Sequence, residues 1–248
     1  PHLIGGVFPT YAPEKCMNFE EIKIIGIGEG EKTTIEVSEA VRQNLPIEGI
    51  KGIWYRDSEN TIQKNPAQPL ANINDVIPDY SLFDENRFWR PLGGKNFRII
   101  PVETYRGCPY TCTFCNSPMQ VTVMRDNGIG NFLRRKKIST LRDEIQFMID
   151  EHNPEYFFIV DDSFLARPDA EIREFVDMYQ EFKIPFWFNT RPENINPERL
   201  DLLKSVNCDR MSFGMECGNE EYRRKVITRA PTNEKVIDSY KRFLNKKK

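Results

Sequence analysis

Histidine is nearly absent: His2 and His152 are the only two in 248 residues, so a metal site built on several imidazoles is excluded. Net charge is nearly absent too. Lys+Arg 35 against Asp+Glu 37 leaves −2, and no overall basic field draws the chain to nucleic acid or anionic lipid. No run approaches the roughly 18 apolar residues of a membrane span; the longest are short, such as Tyr156 to Val160. A basic, apolar, small-residue leader is missing from the start, so secretion and membrane insertion are not expected. Internal repeats and low-complexity tracts are lacking, apart from Lys246-Lys247-Lys248, read as a frayed end. A disulfide framework is excluded by size, because stapled domains are far shorter than this chain. What is present instead is six cysteines, three of them within the eight residues from Cys108 to Cys115. That clustering points to a metal in a reducing compartment, and a cytoplasmic location is expected. The chain opens on Pro1 and its first residues read as the middle of something, so it is expected to be a fragment truncated at both ends.

The hydrophobic period changes near residue 95. Downstream, extended runs alternate with amphipathic ones: a strand from Phe97 to Val102, then the cysteines and a polar stretch from Asp126 to Lys137. A helix follows with Leu141, Ile145, Met148 and Ile149 on one face. Tyr156 to Val160 reads as a strand covered on both faces, and its partner helix carries Ile172, Phe175, Val176 and Tyr179 on one stripe. Phe186 to Phe188 is a third strand. Asn196 and Pro197 supply an N-cap and first-turn proline for a helix through Leu200, Leu203 and Val206. Met211 to Phe213 marks a fourth strand, and Thr232 caps a last helix whose Val236, Tyr240, Phe243 and Leu244 face the core. Repeated β/α units close into a doubly wound sheet or a barrel. Four units are too few for a closed barrel, so the last strand is expected to show an unpaired edge.

Upstream, Ile22 to Ile25 reads as a strand and Thr33 to Gln43 as a helix. Ile50 to Tyr55 and Thr61 to Lys64 read as a hairpin about the polar turn Arg56-Asp57-Ser58-Glu59-Asn60. The proline-rich stretch 65–94 reads as a linker wrapping the surface. Gly26 to Thr33 nearly spells a phosphate-binding G-x4-G-K-[ST] loop, but Glu31 stands where the second glycine is required. Glu29 adds a second carboxylate that repels phosphate, so nucleotide binding is not expected.

Arg106-Gly107-Cys108-Pro109-Tyr110-Thr111-Cys112-Thr113-Phe114-Cys115 sets three thiols at C-x3-C-x2-C directly after the first strand of the α/β region. A structural zinc site wants four ligands, usually two close pairs. This loop offers three, and neither histidine stands at a matching spacing. A cubane iron–sulfur cluster takes one thiolate per iron, so three thiolates leave one iron open for a chelating, substrate-like cofactor. S-adenosylmethionine has the amino group and carboxylate for that role. A ferredoxin-like carrier, or zinc completed by a remote cysteine, are the bland alternatives.

The motif resembles the signature of the radical S-adenosylmethionine superfamily, C-x3-C-x-aromatic-C on the loop after the first strand of a partial β/α barrel. The resemblance implies that Cys108, Cys112 and Cys115 hold a [4Fe-4S] cluster and that Phe114 lies against the adenine. It also implies reductive cleavage of S-adenosylmethionine to a 5′-deoxyadenosyl radical, with the electron coming from an external donor such as flavodoxin or ferredoxin. Asp161-Asp162-Ser163-Phe164, past the second strand, is similar to the stretch that contacts the methionine amino group; the alternative is a pair of turn-forming acids. Phe213-Gly214-Met215-Glu216-Cys217-Gly218 is similar to a Gly-x-Glu-Ser-Gly pattern in which Glu216 accepts from the ribose hydroxyls. Cys217 replaces the serine, as an inert small residue, a redox-sensitive spot or a fourth cluster ligand, the first being favoured. Arg191 and Arg229 are candidates for the cofactor carboxylate, or stand as surface cations.

Ile4-Gly5-Gly6-Val7-Phe8-Pro9-Thr10 and Ile25-Gly26-Ile27-Gly28-Glu29-Gly30-Glu31 resemble the last part of the cobalamin-binding, Rossmann-like domain that precedes many members of that superfamily. On this resemblance Gly5 and Gly6 line the nucleotide tail of the corrinoid. Asn74 to Tyr80 is similar to the connecting stretch of those proteins. His2 does not match the cobalt-ligating position. With the upstream half of that domain missing, cobalamin retention by the fragment, and its own activity, are open.

The implied organisation is α/β: residues 1–64 as the C-terminal part of a cobalamin-binding Rossmann-like domain, 65–94 as linker, and 95–248 as a partial (β/α) TIM-like barrel of the radical S-adenosylmethionine type, incomplete at its C-terminus. The implied reaction is methyl transfer to an unactivated centre, with radical cyclisation or rearrangement, or a non-catalytic zinc or iron–sulfur module, as alternatives. The expected substrate is a small molecule or biosynthetic intermediate. Arg134-Arg135-Lys136-Lys137 is the strongest basic run, but without interleaved aromatics it reads as a solvated approach to a helix and not as a nucleic-acid site.

Overall fold

The computed structural model of the chain describes residues 2–247. It resolves into two compact units, one comprising residues up to Asn72 together with Gln120–Phe132, the other Ile73–Met119 together with residues from Leu133 onward.

The first unit holds β1 (Leu3–Ile4), α1 (Val7–Tyr11), α2 (Pro13–Met17), β2 (Ile24–Gly26), α3 (Glu31–Gln43), β3 (Ile53–Arg56) and β4 (Ile62–Lys64). The strands form one sheet in the order β1-β2-β3-β4. β1 and β2 run parallel, while β3 is antiparallel to both β2 and β4. Neighbouring side chains on β2 point to opposite faces, and each face has its own core. Ile24, Val37, Ile53 and Tyr55 pack on the α3 side, whereas Ile25 packs with Cys16 and Met17 of α2. The expected 56–60 turn joins β3 to β4, with the Asp57 carboxylate accepting from the Glu59 and Thr61 amides at 3.0 and 2.8 Å.

The second unit begins with β5 (Trp89–Leu92), β6 (Lys95–Val102) and β7 (Tyr105–Arg106); α4 (Ser117–Asp126) starts in it and continues into the first unit. Next come β8 (Arg134–Arg135), α5 (Ile138–His152), β9 (Tyr156–Ile159), α6 (Asp169–Tyr179), β10 (Phe186–Thr190), α7 (Pro197–Ser205), β11 (Cys208–Phe213), α8 (Glu220–Lys225) and α9 (Asn233–Lys247). Its main sheet runs β11-β10-β9-β6-β5. β6, β9, β10 and β11 are parallel neighbours in chain order. A doubly wound sheet reverses its strand order at a switch point; this one does not, so of the two expected closures it is the partial (β/α) barrel. Ile100, Val102, Phe157, Ile159, Phe186 and Phe188 face one large core shared with Leu141 and Ile145 of α5, Ile172 and Phe175 of α6, and Leu200 and Leu203 of α7. Helices therefore cover one face. On the other, Phe158 and Trp187 stack at 4.0 Å. Among the described residues, β11 is the last strand on its side of the sheet.

The sequence expectations need three corrections. Part of the stretch read as linker is sheet: β5 pairs antiparallel with β6, from Trp89↔Arg98 to Leu92↔Lys95. The α4 helix lies where no element was expected. In α9, Val236 is buried as expected, and Phe243 and Tyr240 close on Phe213, at 5.6 and 4.9 Å between ring centroids, but Leu244 is 59% exposed and does not join that face. No helix among the described residues is long and apolar enough to cross a membrane.

Candidate functional site

Barrel chemistry collects beyond the C-terminal ends of the parallel strands. There the structure brings together the cysteine loop after β6, Asp161 and Asp162 after β9, Arg191 after β10, and Gly214 to Glu216 after β11.

Side chains between the cysteines anchor the loop. The Thr113 amide and hydroxyl donate to the carbonyls of Ile227 and Val226 at 3.3 and 2.7 Å, and the Thr228 hydroxyl donates back to the Thr111 carbonyl at 2.7 Å. Tyr110 donates its phenol to Asn194 Oδ1 at 2.6 Å. Cys112 is buried, and Cys108 and Cys115 are half-buried. Burial first, then the neighbouring Asp162 carboxylate and the Cys112 and Cys115 thiols, push the Cys108 thiol up, against a lowering backbone hydrogen bond from Tyr110. The Ser117 amide donates to Cys115 Sγ at 3.5 Å. Arg191 Nη1 lies 3.6 Å from Cys112 Sγ.

Among the described residues no three His, Cys, Asp or Glu side chains converge where one metal ion could bind. A tetrahedral zinc needs such convergence. In a cubane cluster each thiolate bonds its own iron, so a cluster does not ask three sulfurs to converge on one point. The Cys217 thiol joins no such group, and its carbonyl accepts from Arg223 at 2.7 Å.

The expected cofactor contacts divide. Phe114 is 56% exposed, with the Arg229 guanidinium 5.9 Å from its ring centre. Arg229 also pairs with Glu216 at 3.4 Å and donates to the Gly214 carbonyl. Glu216 has φ 64°, in the left-handed region. A Cβ at Gly214 would lie 2.4 Å from Glu216 Oε1 and 3.1 Å from Arg229 Nη1, so any larger residue would displace the ends of that pair. Asp162 is exposed and accepts from the Ser117 hydroxyl at 3.1 Å. Asp161 is different: at 2% exposure it accepts from the Thr104 amide at 2.8 Å, the Thr104 hydroxyl at 2.5 Å, the Tyr105 amide at 3.0 Å and Arg167 at 2.5 Å. Its carboxylate thus holds the chain leading into the cysteine loop. Arg191 is likewise buried rather than a surface cation.

Sequence reasoning missed two positioning residues. Arg167 had no signal. Arg223, fully buried, donates to the Cys217 and Pro231 carbonyls at 2.7 and 2.9 Å and so ties down the segment carrying Glu216 and Arg229; it reads in sequence as one more cation of a basic helix end. The basic run 134–137 is drawn into the fold: Lys136 is buried against Glu144, and Arg135 pairs with Glu171 and Glu174 at 3.4 and 2.5 Å.

In the first unit, a cavity of about 400 Å³ is lined by Leu3, Gly5, Gly6, Gly26, Gly28, Gly30 and residues of α3. A Cβ at Gly5 or Gly6 would meet nothing within 4 Å. At Gly6 the backbone, at φ 99°, itself calls for glycine, whereas Gly5 carries no positive φ.

The chain belongs to the radical SAM superfamily, whose profile matches residues 102–248. It is 25% identical to an uncharacterized methyltransferase of Pyrococcus horikoshii, over 96% of this chain and 50% of that one. It is also 25% identical to the cytidylyl-2-hydroxyethylphosphonate methyltransferase of Streptomyces wedmorensis, over 90% of this chain and 46% of the other. Among solved structures it shares the fold of OxsB, a cobalamin-dependent S-adenosylmethionine radical enzyme with aqua-cobalamin bound, at TM-score 0.70 and 21% identity, covering 97% of this chain and 34% of that one. The chain thus spans half or less of the length of these proteins.

Proposed function

We propose that the chain is the cofactor-binding part of a cobalamin-dependent radical S-adenosylmethionine methyltransferase acting on a small molecule. The observation that carries this reading is the anchored loop of Cys108, Cys112 and Cys115 at the C-terminal strand ends, beside the Gly214–Glu216–Arg229 constellation. A [4Fe-4S] cluster held by the three thiolates supplies the electron that cleaves S-adenosylmethionine, and an external donor of the flavodoxin or ferredoxin type replenishes it. Phe114 offers an exposed ring face for an adenine. Glu216 offers acceptors for ribose hydroxyls, and Arg229, released from Glu216, offers a cation for a carboxylate. Asp162, exposed and bonded to Ser117 at the end of the loop, suits an ammonium group, whereas Asp161 holds the loop entry. In the first unit, the glycine-lined cavity at Gly5 and Gly6 suits the nucleotide tail of a corrinoid, which supplies the methyl group. Methyl transfer is preferred because it is the activity named in two of the relatives; radical cyclisation is the second reading, since others of similar identity are named anaerobic magnesium-protoporphyrin IX monomethyl ester cyclases.

Anaerobic reconstitution tests the reading. Four irons and four sulfides per chain, with S-adenosylmethionine consumed and 5′-deoxyadenosine released under dithionite, is the expected result. Tight zinc without iron, or a cluster that cycles electrons and leaves S-adenosylmethionine intact, overturns it.

A further inference from the structure

We infer that Arg191 is a positioning residue that acts through the sulfur of Cys112 and sets the reduction potential of the cluster, an inference that rests on the proposed ligation by Cys108, Cys112 and Cys115. Three contacts fix the guanidinium. Nη1 stands 3.6 Å from Cys112 Sγ, Nη2 meets Glu193 Oε1 at 2.5 Å, and the group lies over the Tyr110 ring at 3.7 Å from its centre. Tyr110 is itself pinned by Asn194. The residue is 5% exposed, and Nε is buried without a partner. Both terminal nitrogens are thus committed, one to a thiol and one to a carboxylate.

A buried cation whose N–H points at a ligating sulfur stabilises the more negative, reduced form of a cluster more than the oxidised form. Low local dielectric strengthens the effect. Glu193 works the other way, because its carboxylate neutralises part of the charge that reaches the sulfur. The potential is therefore set by two opposed residues, and removing each moves it in a different direction. Mere loosening of the loop gives no such sign reversal.

The test is a one-electron titration of the reconstituted chain with dithionite and redox mediators, without S-adenosylmethionine, in wild type, Arg191→Met, Arg191→Lys and Glu193→Gln. In R191M the reduced-to-oxidised ratio at fixed potential is expected to fall roughly tenfold, a midpoint about 59 mV lower for one electron. R191K, which keeps the charge but not the planar stack on Tyr110, falls between R191M and wild type, and E193Q shifts upward. If R191M does not assemble a cluster, the upward shift of E193Q carries the test. Unmoved midpoints in R191M and E193Q overturn the inference. So does an unmoved midpoint with weakened S-adenosylmethionine binding, which would return Arg191 to the cofactor carboxylate. A wild-type chain that takes up no four-iron cluster overturns the ligation itself and is distinguished by iron and sulfide analysis before any titration.

Discussion

Asp161→Ala isolates the role of the buried Asp161–Arg167 pair. It removes the acceptor of four hydrogen bonds and leaves the Arg167 guanidinium, 4% exposed, without its counter-charge. Arg167 Nη2 keeps only its contact to the Thr104 hydroxyl at 3.0 Å. Breaking a buried pair from one side costs about 3–5 kcal/mol, a large share of the roughly 5–15 kcal/mol that stabilises a domain. Because the chain has two compact units, global unfolding need not be two-state, and local hydrogen exchange is the better assay. The Thr104 and Tyr105 amides donate directly to the lost carboxylate, so the peptide spanning 103–116 should lose protection on the order of 10²–10³-fold, taking about 1.4 kcal/mol per factor of ten. Arg167→Met on top of Asp161→Ala removes the orphaned charge while filling the space against the Phe164 and Tyr105 rings, and should recover much of the loss. Cluster loading should follow protection across the series. Exchange at Thr104 and Tyr105 within about threefold of wild type in D161A, well under 1 kcal/mol, would refute the assignment of Asp161 to the loop entry.

Three further outcomes can be measured. Gly214→Ala drives a Cβ into the Glu216–Arg229 pair and should weaken S-adenosylmethionine binding by about tenfold or more, the scale of one lost charge-assisted hydrogen bond, in equilibrium dialysis of the loaded chain; unchanged affinity would remove the pair from the cofactor site. Gly5→Leu fills space in which a Cβ meets nothing within 4 Å, so the unfolding midpoint should hold while cobalamin retention, read by visible absorbance, is lost. The neighbouring Gly6, at φ 99°, would add backbone strain of about 1–2 kcal/mol and confuse that test. Tyr80, pushed up to about 12 mainly by burial, donates its phenol to the Pro101 carbonyl at 3.1 Å. Because its folded value lies above the ordinary 10, the stability it contributes is complete below pH 10 and is lost as pH rises toward 12; Tyr80→Phe should flatten that part of the alkaline stability curve and remove one late step from the ultraviolet tyrosine titration.

The strands and helices of the barrel were legible because burial on one face prints a period. Phe157 and Ile159 face the helices while Phe158 faces away, and Ile172, Phe175, Val176 and Tyr179 fall on one helical stripe. The Asn196 cap was legible from its side-chain chemistry alone, and its Oδ1 accepts from the Arg199 amide at 2.8 Å. β5 was masked by its composition: Pro91 suits only an edge strand, and Trp89, Arg90 and Pro91 are exposed. A signal was nevertheless present, since Gly93 and Gly94, at φ 62° and 82°, form the two-residue glycine turn that closes a hairpin. α4 carries the first-turn proline Pro118, but β-branched Val121, Thr122 and Val123 at its centre mask the helical pattern. Local motifs of the candidate site were legible, and contacts between residues distant in the chain were not. The cysteine spacing stood out. Asp161 looked like half of a cofactor-facing pair, and its partner in the fold is Arg167, whose contact depends on tertiary packing that no local spacing encodes.

That division bears on how the loop is held. In small metal-folded modules the ligands are brought together by the ion, and folding and metal binding are one event. Here the residues between the cysteines do the holding. Thr111 and Thr113 are bonded to the 226–228 segment, Tyr110 to Asn194, and the loop entry at Thr104 and Tyr105 to Asp161. Each anchor lands on a different neighbouring element: the segment after α8, the turn after β10, the end of β9. The barrel rim therefore fixes the backbone on which the thiols sit chiefly through the residues between them. A cluster that must present an open iron in one orientation needs a frame of this kind, because three ligands leave it freer to tilt than four would. Preorganisation by polar anchors on rigid elements supplies the missing constraint, and it explains why the intervening positions carry two threonines and a tyrosine, side chains that can reach out and bond, rather than the small residues a tight metal knuckle would prefer.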